Sequence, residues 1–140
     1  MSDIISIAES WIGTPFRYGA SIKGKGVDCA KFVFMVFKEL GAIQTNDLPP
    51  HLPPCWNDVV ESQGIDPNIF RNQLLKYADI VPFNDRRAGD VISFIYRGLE
   101  SHVGILVEDD CIVHAKTGRR VVKQRLRSLT NVCSVYRLKK

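Results

Sequence analysis

The sequence predicts an α+β domain, with N-terminal helices packed on an antiparallel β-sheet. Three observations carry that prediction. Apolar residues near the N-terminus recur with helical spacing, and one apolar run, Phe32–Phe37, is dense enough to be a largely buried helix. From Val91 onward the chain breaks into short runs of Val, Ile, Phe and Tyr separated by glycine and acidic turns, the pattern of a strand meander. Between these halves, residues 44–68 hold five of the seven prolines, which excludes a long regular element there.

Residues 3–11 form the first predicted helix, with Ile4, Ile7, Ala8 and Trp11 on one face and Asp3 as its cap. Gly13-Thr14-Pro15 ends it, and Phe16–Gly19 follows as an extended piece. A glycine-rich turn, Lys23–Gly26, leads to a second helix that begins at Cys29 and runs to Leu40, where Gly41 suits the C-cap. Beyond the prolines, a short helix over Ile69–Tyr77 has Phe70, Leu74 and Tyr77 on one side. The predicted strands are Val91–Tyr96, His102–Val107, Cys111–Ala115, Arg120–Gln124 and Cys133–Leu138, the last closing the sheet.

A chain of 140 residues with 45% apolar and 24% charged residues suits one domain with one core, so residues 1–140 are read as a single unit. The proline-rich stretch 44–68 is an insertion in it. No apolar run approaches the ~20 residues that span a bilayer. The start, Met1-Ser2-Asp3-Ile4, has no basic segment and no long apolar segment, so the chain reads as lacking a signal peptide and as made in the cytoplasm. If it acts outside that cell, something else delivers it.

The cysteines, Cys29, Cys55, Cys111 and Cys133, form no C-x-x-C pair, which argues against a zinc ribbon or a thioredoxin-type site. No metal or other cofactor is expected; His51 and Cys55 are spaced for a metal but have no second pair. The net charge of +4 is uneven, with nine Lys or Arg residues and no acidic residue between Lys116 and Lys140. Lysine and arginine there suit the solvated face of edge strands. With no aromatic interleaving and no recognisable motif, a nucleic-acid partner is not expected.

The residue with the most chemical promise is Cys29, in Val27-Asp28-Cys29-Ala30-Lys31-Phe32-Val33. At a helix start, free N–H groups and the positive end of the dipole favour an anion, so its thiol is expected to ionise below its free value of about 8.5. A small apolar side chain filling a gap under the helix is the other reading of the same residue. His102 begins one predicted strand and His114 ends the next, either diagonal to each other or separated by a bulge. If the sheet meets the helix start, one imidazole faces the sulfur and the other sits behind it, a thiol–base–orienter arrangement.

These pieces together resemble the NlpC-type cell-wall cysteine peptidases, a family with a compact papain-like fold. The nucleophile motif reads Asp28-Cys29-Ala30-Lys31-Phe32-Val33, and the histidine motif Ser101-His102-Val103-Gly104-Ile105 follows the strand entry Ala88-Gly89-Asp90-Val91. The third polar position falls in Ile112-Val113-His114-Ala115, and Gly13–Gly19 matches the family's approach to the nucleophile, with Tyr18 lining the site. The resemblance implies hydrolysis of an amide bond in the peptidoglycan stem peptide, typically next to D-glutamate. Cys29 would attack, His102 would carry the proton, and His114 would orient His102. The Cys29 backbone N–H would serve the oxyanion. Asp28 caps the helix or holds the neighbouring loop, and with Tyr18, Ala30 and Ser101 it is assigned to the substrate-binding side.

The family usually has Ser-Gly after the cysteine where this chain has Ala30-Lys31, which puts the usual peptide specificity in question. That departure and the proline-rich insertion resemble the phage and gene-transfer-agent branch, whose enzymes are carried to the wall by a phage-like particle and partner tail proteins. Two other readings stay open: a catalytically silent structural tail component, and a papain-like amidase or acyltransferase acting on a substrate outside the wall.

Overall fold

Asp3 begins the first helix as its sequence suggests: its Oδ1 accepts the Ser6 N–H at 2.8 Å, and α1 (Ile4–Glu9) turns Ile7 and Ala8 into the core. The computed structural model describes residues 3–44 and 68–139. Nearly all of the 44–68 insertion, with His51 and Cys55, therefore lies outside the described residues. A two-stranded hairpin, β1 (Ser21–Ile22) and β2 (Gly26–Val27), leads into helix α2 (Cys29–Leu40). Gly41 caps α2 in the left-handed conformation, φ 88°, which a residue with a side chain rarely adopts. Helix α3 (Ile69–Leu75) buries Phe70 and Leu74.

Among the described residues, the six remaining strands make one antiparallel sheet. They are β3 (Ala78–Val81), β4 (Val91–Tyr96), β5 (Leu99–Glu108), β6 (Cys111–Ala115), β7 (Val121–Arg125) and β8 (Val132–Leu138), in the order β3-β8-β4-β5-β6-β7. The expected meander is therefore corrected at its end. β8 does not add beyond β7 but crosses back to lie between β3 and β4. Two contacts fasten it there: Tyr136 is fully buried with its hydroxyl on Glu100, and Arg137 pairs with Asp90 at 2.9 Å.

Alternation along the strands gives the sheet two apolar faces. Val103, Ile105, Val107, Val113 and Val121 share a cluster with Phe32, Val33, Val36 and Phe37 of α2 and with Ile7, Ala8 and Trp11. On the other parity, Ile92, Phe94, Leu106, Ile112, Leu126 and Val135 form a second cluster. The α2 helix is thus held along its length by the sheet, and its first turn is a fixed point. Fully burying each of these large side chains contributes about 1.5–3 kcal/mol before the entropy of ordering is subtracted.

Part of the basic C-terminal stretch is engaged in surface ion pairs. Lys123 meets Glu9 at 3.3 Å and Glu108 at 3.0 Å, and Arg127 meets Asp110 at 2.5 Å. Such exposed pairs contribute about 0–1 kcal/mol each and fit the solvated-face reading. No helix among the described residues is long and apolar enough to cross a membrane.

Candidate active site

The site is assembled from the start of α2, a bulge in β5 and the facing end of β6. Asp28 is the N-cap of α2, with Oδ1 accepting the Lys31 N–H at 2.8 Å. Its Oδ2 accepts the Gly19 N–H at 2.9 Å, so one side chain both starts the helix and ties down the loop that carries Tyr18. Tyr18 is 44% exposed and packs edge-on against Phe16, with ring centroids 4.8 Å apart. Cys29 is half-buried at the first position of the helix.

The register of β4 and β5 slips between Phe94 and Ile95: Phe94 faces His102, but Ile95 faces Glu100. Ser101 is the extra residue. A bulge of this kind bends a strand and re-aims its groups, and here the Ser101 carbonyl accepts the Cys29 S–H at 3.7 Å. The next residue is His102. In the β5–β6 ladder Ile105 faces Val113, which sets His114 against Gly104 and makes the two histidines diagonal. They nevertheless touch, His102 Nε2 lying 2.7 Å from His114 Nδ1, with the rings edge-on.

Gly104 makes that contact possible. A Cβ at this position would lie 2.9 Å from His114 Cβ and 3.1 Å from both Ile112 Cδ1 and the Val113 carbonyl oxygen. Gly104→Ala is therefore expected to push His114 out of line. The expected cost is about 1–3 kcal/mol of stability, read by urea melting, together with a fall in turnover larger than the loss of folded protein. A Gly104→Ala protein with the wild-type melt and rate would show that His114 does not need this space.

Burial governs the electrostatics. The Cys29 thiol is pushed up to about 12, first by desolvation and second by the Asp28 carboxylate, while backbone groups of Val103, Ala30 and Cys29 itself pull the other way. This corrects the expectation of a readily ionised thiol: at rest the sulfur keeps its proton and donates it to Ser101. The His102 imidazole is pushed down to about 3, by burial first and by His114 second. His114 is also lowered by burial, helped by the Lys116 charge and opposed by its bond to Gln124. At rest the thiol and the His102 imidazole are both neutral.

The consequence for stability runs opposite to that of a histidine with a carboxylate partner. An unfolded chain binds a proton on His102 below pH 6.5, while the native state refuses it until about pH 3. Stability is thus fully present above 6.5 and is lost as pH falls from there toward 3, at no more than about 1.4 kcal/mol per pH unit. Urea melts between pH 7 and pH 4.5 are expected to fall less steeply for His102→Gln than for wild type. Parallel curves would mean His102 accepts a proton in the native state.

The assigned substrate-side residues are not equivalent. Tyr18 is the exposed one, and Ser101 contributes its carbonyl to the thiol. Both Asp28 oxygens are engaged by backbone N–H groups. Ala30 is only 4% exposed and packs with Ile69, Phe70 and Leu99, so α3 covers this position and its side chain is a packing element. Sequence reasoning missed Tyr96, which is 40% exposed, stands 6.3 Å from the His102 ring and has its hydroxyl pushed up by burial. It also missed Gln124, whose Oε1 lies 2.9 Å from His114 Nε2. The turn at Gly98 and the β7 alternation hinted at both positions, but neither residue type announces its role without the fold.

The sequence matches the NlpC/P60 family over residues 13–136. It is 29% identical over 121 residues to murein DD-endopeptidase MepS/murein LD-carboxypeptidase of Escherichia coli (strain K12), covering 86% of this chain and 52% of that protein. It is 28% identical over 123 residues to gamma-D-glutamyl-L-lysine dipeptidyl-peptidase of Bacillus subtilis (strain 168), covering 85% of this chain and 33% of that one. The chain thus spans about half of one relative and a third of the other. In fold it is similar to the NlpC/p60 domain of peptidoglycan hydrolase SagA, with a TM-score of 0.65, 18% identity and 96% of both chains covered.

Proposed function

The chain belongs to the NlpC/P60 family, and from that premise we propose that it is a cysteine peptidase cutting an amide bond in the stem peptide of peptidoglycan. The observation that carries the reading is the meeting of the α2 start with the β5 bulge: the Cys29 thiol donates to the Ser101 carbonyl, and the residue that follows Ser101, His102, is paired with His114. The relatives named for endopeptidase and dipeptidyl-peptidase activity support the substrate class.

In this reading Cys29 attacks the scissile carbonyl as His102 takes its proton, so the thiolate exists only as it reacts. The proton then passes from His102 to the leaving amine, and the acyl group is left as a thioester on Cys29. Water, activated by the same imidazole, releases it and restores the thiol. Backbone N–H groups at the start of α2 are aimed where the carbonyl oxygen becomes negative. His114 steadies the imidazolium that forms in between. Tyr18 and Tyr96 are the exposed aromatic walls available to the peptide. The narrower assignment, an enzyme delivered to the wall by a phage-like particle, is suggested by Ala30-Lys31 and the proline-rich insertion.

The test is a digest of purified peptidoglycan, with released fragments identified by mass spectrometry. Stem-peptide fragments bearing a new amino terminus support the proposal and identify the bond. No release from several wall types, with the protein folded and its thiols reduced, would favour a structural tail component or another amide substrate.

A further inference from the structure

Beyond the thiol and the two histidines, a chain of hydrogen bonds continues across β7 into the turn Leu126–Ser128. Its far end fixes its sense. The Ser128 hydroxyl donates to the Arg125 carbonyl at 2.7 Å, so toward Gln124 its oxygen can only accept. Gln124 Nε2 donates to that oxygen at 3.1 Å, which turns the amide so that Oε1 points at His114. An amide oxygen has no proton to give. His114 must therefore carry its proton on Nε2, and as a neutral ring it presents a bare Nδ1. That bare nitrogen accepts from His102 Nε2, leaving His102 Nδ1 as the unprotonated nitrogen.

We propose that Gln124 is a positioning residue that, held by Ser128, selects the tautomers of His114 and His102 so that His102 Nδ1 is the base for Cys29. The proposal deepens the peptidase reading and rests on it. Proton balance is kept throughout: the thiol proton goes to His102 Nδ1, both ring nitrogens of that imidazolium then donate, and the proton leaves with the amine. Every bond in the relay keeps its direction during the step, so nothing but one proton has to move. A free imidazole in water favours neither arrangement strongly enough to guarantee this, and with the wrong tautomer the thiol would meet an N–H rather than a lone pair.

The test combines histidine 15N nuclear magnetic resonance of the reduced protein with turnover of a defined stem peptide. In wild type, both His102 and His114 are expected to be protonated at Nε2. Gln124→Leu removes the acceptor, so His114 should become a mixture of tautomers and kcat should fall by about 10- to 100-fold with KM within about twofold. Gln124→Glu keeps an acceptor at the same reach and should recover kcat to within about fivefold. Ser128→Ala, which frees the amide to flip, should show a smaller loss in the same direction and covers the case in which the leucine variant fails to fold. His102 protonated at Nδ1 in wild type, or a folded Gln124→Leu protein with unchanged tautomers and kcat, would overturn the proposal. A wild type without peptidase activity would instead remove the reading beneath it, while the resonance data still report whether Gln124 sets the tautomers.

Discussion

Cys29→Ala is expected to release no stem-peptide fragment while melting within about 3 °C of wild type. The residue is half-buried, alanine removes a single heavy atom, and the proton of the thiol is held only by the weak bond to the Ser101 carbonyl, so the change removes little packing. The helix start does not depend on it either, because Asp28 supplies the cap and the Gly19 tie. Chemistry and stability are thus separable at this residue. A fall of about 10 °C with turnover retained would make Cys29 a core filler and leave the site without a nucleophile.

Glu100→Leu is expected to have the largest effect on stability. This carboxylate is 6% exposed and holds three elements together: it accepts the hydroxyls of Ser93 on β4 and Tyr136 on β8, and pairs with Arg71 of α3 at 3.3 Å. Ser93 and Tyr136 are fully buried, so neither can turn to water when the carboxylate goes. Removing one partner from such a network costs several kcal/mol, here about 2–4 because Arg71 is a third exposed and can be solvated. For a chain of this length that corresponds to a drop of about 6–12 °C in Tm. Glu100 also precedes the bulge residue Ser101, so turnover of the remaining folded protein should fall. Calorimetry and peptide turnover measure the two effects. Arg71→Met, which leaves the two hydroxyl bonds in place, should cost less than half as much, and an equal cost would place the energy in the ion pair.

What the sequence disclosed was local. The Asp28 cap, the start of α2 at Cys29 and the Gly41 stop each depend on residues within one turn of helix, and they read directly. His102 and His114 could be placed near each other because one tight hairpin joins their strands. Features that depend on distant partners stayed hidden. β3 is four residues long, contains Asp79 and ends at Pro82, and exists because β8 supplies its partners. The position of β8 beside β4 is settled by Tyr136 and Arg137, whose partners Glu100 and Asp90 lie 36 and 47 residues away. Glu100 and Gln124 look like ordinary strand polar residues until the sheet closes around them. The thiol's resistance to ionisation was invisible for the same reason: a helix start favours the anion, but burial on this sheet and the Asp28 charge outweigh it.

If one thiol, Cys29, served by His102, performs the chemistry, a stem-peptide analogue carrying an electrophilic ketone at the scissile position will find it. Intact-mass and peptide-mapping readouts should then show a single adduct on Cys29, formed in step with loss of activity and much slowed by His102→Ala, even though Cys133 is a more exposed thiol. An adduct on Cys133 or Cys111, or activity that persists after Cys29 is fully modified, would contradict that role for Cys29.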